Sequence, residues 1–242
     1  MSDKAITSTG QAWEEQARNW ITWVRTPELD SYWRYRSAFF ELVPDSGRST
    51  LDLGCGEGRV ARDLAARGHR VTGVDASPTL IGAASAAHPE GEYTVADAAD
   101  LPFPDDSFDL AIAYNSLIDV DDLPGAVREA GRVLRPGGRL VLSILHPANT
   151  GIRTGEGDDL AFVVDGSYFT SRRTEDLVER QGISMKFTGY QRPLSAYTRA
   201  LEETGFLIEA VREPIATRAD GSPHRLPWHL WIKAIRHPGS VL

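Results

Sequence analysis

The stretch LDLGCGEGRV, residues 51–60, decides how the whole chain is read. A short apolar run carrying one aspartate, Asp52, leads into Gly54, Gly56 and Gly58, and a helix-like pattern follows. Glycine loses more conformational freedom on folding than any other residue. Three of them in five positions therefore imply a backbone that turns sharply and lets a ligand approach closely. Strand, glycine turn and helix in that order form a nucleotide-binding arrangement. A phosphate loop wants a lysine and then Ser or Thr after its glycines, whereas Arg59 and Val60 follow Gly58. A dinucleotide fingerprint wants G-x-G-x-x-G, and Arg59 occupies the place of its third glycine.

Working outward, strands and helices alternate. "STLDLG" reads as a strand and "RVARDLAARG" as a helix ended by Gly68. "HRVTGVD" is a second strand, and "SPTLIGAASAA" a helix with Ser77 as N-cap and Pro78 at its first position. "EYTVAD" and "FDLAIAY" are further strands. "DDLPGAVREAGRVL" is a helix stopped by Pro136, Gly137 and Gly138, and "GRLVLSIL" a fifth strand. This alternation predicts an α/β fold, a mostly parallel sheet with helices on both faces. Residues 11–42 read as two helices dense in aromatics, divided at Pro27, and they are expected to pack on the domain or to cover a cleft. After Pro147 the pattern breaks into short apolar pieces, an expected cap or inserted hairpin. "PLSAYTRALEETG" resumes as a helix, and "FLIEAVREP" and "WHLWIKAIR" close the chain as an antiparallel pair. The expected division is a single domain over 1–242. It comprises a helical lid (1–45), a cofactor-binding core (46–146), a cap insertion (147–190) and a closing helix and strands (191–242).

Composition bounds the function. The chain has 242 residues, enough for one sizeable α/β core, and a net charge of −8 that argues against nucleic acid as a partner. One cysteine excludes an internal disulfide and a cysteine-held zinc, and no metal site is expected. The polar start "MSDKAITSTG" has no apolar signal region, and no apolar run approaches the ~18 residues of a membrane helix. A cytoplasmic protein is expected, with no membrane partner.

Two further acids bear on the ligand. Asp75 ends the second strand about 20 residues past the glycine turn, where a ribose-binding acid stands. Asp97 ends the third strand and is placed to accept from an adenine amino group, with the Ala98 N–H meeting a ring nitrogen. Three strand-end carboxylates beside one glycine turn, with no Lys or Arg placed to greet a pyrophosphate, suit a phosphate-free, cationic nucleoside. S-adenosylmethionine has that chemistry.

With these motifs, "ADAADLPFPDDSFDLAIAYNSL" (96–117) and "RVLRPGGRLVLSILHP" (132–147), the chain resembles the class I S-adenosylmethionine-dependent methyltransferases. More narrowly it resembles the methyltransferase type 11, ubiquinone-methyltransferase-like branch that acts on small molecules. The resemblance covers residues 49–147 closely and the rest loosely. It implies a Rossmann-like seven-stranded sheet with the last strand antiparallel, and S-adenosylhomocysteine as product. Asp52 would organise the loop and help hold the methionine ammonium. Gly54, Cys55 and Gly56 would border the cofactor, with Cys55 a small filler. Asp75 with Ala76 would serve the ribose, Asp97 with Ala98 the adenine, and Asn115 would sit near the methionine. Arg135, Pro136, Gly137 and Gly138 would be a structural turn.

The expected reaction is methyl transfer to an O, N or C atom of a small organic acceptor. The competing readings are an RNA or protein methyltransferase, a nicotinamide dehydrogenase and a non-catalytic S-adenosylmethionine-binding protein. His146, at the end of strand five, and Asp119, after strand four, are the candidate bases. Asp121 and Asp122 compete with Asp119 as the start signal of the next helix. Tyr168, Phe169 and Tyr190 are candidates to sandwich a flat substrate, with Arg192, His224 and Trp228 weaker candidates from the closing region. Oligomeric state is left open.

Overall fold

The computed structural model describes residues 7–26, 28–47, 49–149, 152–154, 161–163, 166–215, 222–223 and 225–237. The expected dividing residue Pro27 and the candidate His224 lie outside these. Two helices, α1 (Ser8–Arg25) and α2 (Tyr32–Phe40), precede β1 (Thr50–Leu53), α3 (Arg59–Ala65), β2 (Val71–Asp75), α4 (Pro78–Ala87) and β3 (Glu92–Val95). Then come β4 (Phe108–Tyr114), α5 (Leu123–Val133) and β5 (Leu134–Leu145). The excursion contains β6 (Ile152–Thr154), β7 (Ala161–Val163), β8 (Arg172–Arg180) and β9 (Ile183–Gln191). The chain closes through α6 (Leu194–Glu203), β10 (Phe206–Arg212) and β11 (His229–Arg236).

Seven strands form one sheet in the order β10-β11-β5-β4-β1-β2-β3. β1, β2, β3, β4 and β5 run parallel, and β11 lies antiparallel between β5 and β10. The Rossmann-like sheet with an inserted antiparallel last strand is therefore present. Alternate residues serve opposite faces. Leu51, Leu53, Ala111, Ala113, Leu140 and Leu142 pack with α5 and α6, while Leu110, Ile112, Tyr114 and Val141 pack with α2 and α3. Burial on both faces explains why these strands read as continuous apolar runs. The strand order reverses between β1 and β4, so the crevice that binds ligands in open sheets lies at their carboxyl ends.

Local signals act as their chemistry requires. The Ser77 hydroxyl accepts the Leu80 N–H at 3.1 Å, with Pro78 at the start of α4. Asp122, rather than Asp119 or Asp121, caps α5 by accepting the Gly125 N–H at 2.9 Å. Asp122→Ala is expected to cost about 1 kcal/mol in urea unfolding. The stop at 136–138 differs from expectation. α5 ends at Val133 and β5 begins at once, because Leu134 is already extended. Arg135–Gly138 form an irregularity inside that strand: the register passes from Phe108↔Leu134 to Leu110↔Arg139, with Gly137 at φ 77°. The expected hairpin is β8 paired antiparallel with β9 through Gln181 and Gly182, both at positive φ. Among the described residues no helix is long and apolar enough to cross a membrane.

Candidate functional site

The turn after β1 stands at the switch point, and its glycines are needed. Gly54, Gly56 and Gly58 have φ of 72°, 58° and 84°. A Cβ on Gly54 would lie 2.3 Å from Ser116 Cβ, so the β4 end presses directly on the turn. The N–H groups of Gly54 and Cys55 both donate to the Val74 carbonyl at 2.8 Å, holding the turn against β2. The Cys55 side chain faces Gly73, and burial raises its thiol pKa well above the usual thiol range, an inert filler.

Asp52 is 1% exposed. It accepts the Ala61 N–H, and its Oδ2 is buried without a hydrogen-bond partner among the described residues. Burial pushes its pKa up to about 7 against the pull of Arg59. Asp75 accepts the Gly56 N–H and the Ser77 N–H, each at 2.9 Å, so it ties the glycine turn to the start of α4. Burial also raises its pKa. Asp97 accepts the Ala99 N–H at 2.9 Å, while the Ala98 N–H makes no hydrogen bond among the described residues. Asn115, at φ 57°, is locked to β5: its N–H donates to the Ser143 carbonyl at 2.8 Å, and its Oδ1 accepts the Ser143 hydroxyl at 2.7 Å. The three acids, the glycines and Asn115 thus gather on one edge of the sheet. An open carboxylate oxygen beside a bare glycine turn fits a cationic ligand.

No Lys or Arg was expected to greet a pyrophosphate at the turn, yet Arg59 reaches it. Arg59 opens α3 and folds back over it, with Nη1 3.7 Å from the position of a Gly56 Cβ. Its Nε pairs with Asp30 at 2.8 Å, which offsets its charge.

The other candidates divide. Asp119 lies on the loop after β4, with Oδ1 2.5 Å from where a Gly189 Cβ would stand. Burial, then the nearby Asp75, hold its pKa well above the usual carboxylate range. Arg192 is buried and donates to the carbonyls of Leu117, Ile118 and Val120, so it clamps the Asp119 loop rather than offering a free cation. Tyr190 lies under the Arg192 guanidinium at 4.2 Å and donates to Asp121 at 2.9 Å. His146 is committed on both ring nitrogens, accepting the Ala148 N–H at Nδ1 and contacting Glu213 Oε1 at 2.8 Å through Nε2. The sandwich expected of Tyr168 and Phe169 does not form. They pack edge to face on each other, Phe169 is 80% exposed, and the Tyr168 hydroxyl accepts the Leu194 N–H. No cluster of three metal-ligating side chains occurs among the described residues.

Comparison with known proteins gives this edge its family. Residues 51–142 match the methyltransferase domain model. A crystal structure of an S-adenosylmethionine-dependent methyltransferase from Mesorhizobium loti superposes with a TM-score of 0.68 at 27% identity, over 86% of this chain and 98% of that one. Residues 51–142 are a class I S-adenosylmethionine-dependent methyltransferase domain. Among curated proteins, the demethylmenaquinone methyltransferase of Tropheryma whipplei (strain Twist) is 38% identical, covering 49% of this chain and 50% of that protein. The O-methyltransferase resE of Aspergillus sclerotiorum is 40% identical, covering 43% and 42%. The chain thus spans about half the length of the curated relatives it matches.

The methyltransferase domain is covered by α1 and β9, from the segments expected as lid and cap. α1 crosses the cleft and is tied at three places. Asp121 accepts the Ser8 hydroxyl and the Thr9 N–H. Glu14 accepts the Thr79 hydroxyl at 2.5 Å and the Ser77 hydroxyl at the start of α4. The Trp13 indole donates to the Thr188 carbonyl at 3.0 Å. Trp13, Trp20 and Trp23 set their edges against Phe187 of β9. The aromatic density of residues 11–42 was the only sequence signal for this cover. Nothing in the sequence marked Glu14 or Asp121 as its anchors.

Proposed function

We propose that this protein transfers a methyl group from S-adenosylmethionine to an O, N or C atom of a small organic acceptor, leaving S-adenosylhomocysteine. The observation that carries this reading is the buried, half-satisfied Asp52 carboxylate beside the bare glycine turn. When bound, the cofactor supplies a methyl group on a positively charged sulfur. The chain's own residues supply position and a dry site. In this reading Asp52 takes the methionine ammonium, Gly54 and Gly56 give the backbone close approach, and Asp75, beside Ala76, accepts from the ribose hydroxyls. Asp97 and the Ala98 N–H meet the adenine edge, and Asn115 borders the methionine.

A small acceptor is supported by the cover of α1 and β9 over the cleft and by the small-molecule activities in the names of the relatives. A nucleic acid is less well supported: the chain carries a net charge of −8, Arg173 pairs with Glu175, and Arg192 is buried. Asp119 is the better-placed proton acceptor for a hydroxyl acceptor, since both His146 nitrogens are engaged.

Isothermal titration of the full chain tests the reading. One site for S-adenosylmethionine, competed by S-adenosylhomocysteine, and no heat with NAD are expected. Absence of heat with both sulfur ligands would overturn it.

A further inference from the structure

Resting on that reading, we propose that Asp119 is the counter-ion of the cofactor's charged sulfur, so that the site tells S-adenosylmethionine from S-adenosylhomocysteine by charge. The two molecules differ by one methyl group and the positive charge it brings, and only a placed charge reads the second difference.

Sheet order places Asp119. β1 lies between β4 and β2, so the loop after β4 and the end of β2 flank the glycine turn from opposite sides. Asp75 stands on the β2 side. On the β4 side the Asp119 N–H donates to the Ser116 carbonyl at 2.9 Å, a tight turn that keeps the two α-carbons within about 7 Å. Ser116 is the residue that presses on Gly54. In the proposed reading the nucleoside lies with Asp75 and the amino-acid tail with Asp52. The sulfur joins the two, between the carboxylates of Asp75 and Asp119.

The Asp119 carboxylate is half-buried, yet it makes no hydrogen bond or ion pair among the described residues. Its seat is built. Gly189 of β9 has no side chain where Asp119 Oδ1 lies, and Arg192 holds the loop by three carbonyls. The charged groups that act on it are few. Burial first, then Asp75 of β2, raise its pKa, and Arg192, ahead of α6, pulls it down. The Tyr197 hydroxyl of α6, bonded to Arg192, stays neutral because burial pushes its pKa up to about 12. A neutral sulfur between two carboxylates leaves Asp119 protonated, whereas a cation there favours the ionised form. Asp119 is therefore ionised when the methyl donor is bound, the state a proton acceptor needs.

The test is calorimetry on the full chain with S-adenosylmethionine and S-adenosylhomocysteine, at pH 6, 7 and 8 and in two buffers of different ionisation heat. Both ligands carry the ammonium that Asp52 faces, so the proton Asp52 releases cancels in the comparison. The parent chain is expected to release more protons with S-adenosylmethionine than with S-adenosylhomocysteine. The ratio of the two affinities is expected to rise with pH until Asp119 is ionised in the unliganded chain. Asp119→Asn is expected to lose about thirtyfold in affinity for S-adenosylmethionine and less than about threefold for S-adenosylhomocysteine, together with the extra proton. Asp121→Asn, whose carboxylate faces α1, should leave the ratio between ligands unchanged.

An Asp119→Asn variant weakened equally toward both ligands would make Asp119 a packing residue and overturn the proposal. So would a parent chain whose proton release and pH dependence are the same with both ligands, whether or not any variant folds. A parent chain that binds neither defeats the proposed function itself, and this assignment with it.

Discussion

S-adenosylhomocysteine is expected to bind the Asp52→Asn variant about a hundredfold more weakly than the parent chain, while the unliganded variant gains stability above neutral pH. Asparagine keeps the shape and the oxygen that accepts the Ala61 N–H, so only the charge at the unpartnered Oδ2 is lost. Charge-assisted hydrogen bonds in buried sites are about twice as strong as neutral ones, and a hundredfold corresponds to about 2.7 kcal/mol. The sign of the pH effect follows from the pKa, which burial raises from 3.8 to about 7. Between those values the folded chain holds a proton that the unfolded chain has released. The parent chain therefore loses stability as pH rises from about 4 to about 7, and the loss is complete above that window. The variant lacks this slope. Ligand binding runs the other way, because an ammonium selects the ionised carboxylate. Parent affinity should rise up to about tenfold per pH unit below 7 and level off above it. Thermal melts and titrations at pH 5, 6, 7 and 8 read both slopes. Equal pH dependence in parent and variant would remove Asp52 from the ammonium site.

The sheet from Thr50 to Leu145 was legible because all its strands but the edge strand β3 are largely buried and its turns carry Gly, Pro and N-cap residues at positions with a stereochemical purpose. Ser77 with Pro78 and Gly54 with Gly56 are local signals, read within a few residues. The edge proposed for the cofactor could be read for the same reason: Asp52, Asp75 and Asp97 lie within two residues of the ends of successive strands, and strand ends are fixed by the local pattern. The cover was not. Glu14 finds Ser77 and Thr79 across more than sixty positions, and Asp121 finds Ser8 and Thr9 across more than a hundred. Such pairings have no period. Arg192 misled because a cation at the start of the closing region reads as a ligand contact, whereas here it donates to three carbonyls of a tight loop. The Arg135–Gly138 irregularity misled more mildly, since Pro and Gly mark a break in a ladder as readily as the end of a helix.

Gly54→Ala should abolish cofactor binding and destabilise the chain by about 2–5 kcal/mol, and the reason can be separated into two parts. The first is conformational: φ of 72° costs a residue with a Cβ about 1–2 kcal/mol. The second is steric. The new methyl group would sit 2.3 Å from Ser116 Cβ, an atom fixed to the backbone, and overpacking of this kind costs about 1–3 kcal/mol. Ser116 cannot step aside cheaply, because its hydroxyl donates to the Leu53 carbonyl at 2.5 Å and Asn115 before it is locked to Ser143. Gly137→Ala isolates the first part. It has φ of 77° and no atom within 4 Å of the added methyl, so it should lose only the conformational share and bind S-adenosylhomocysteine normally. Adding Ser116→Gly to Gly54→Ala removes the clashing atom and leaves Ser116 Cα at 3.6 Å, an ordinary contact. The double variant should recover stability relative to Gly54→Ala despite losing the hydroxyl's hydrogen bond. If urea unfolding instead finds the two losses additive, the end of β4 does not press on the glycine turn, and the close fit of the two strand ends is not what shapes the cofactor crevice.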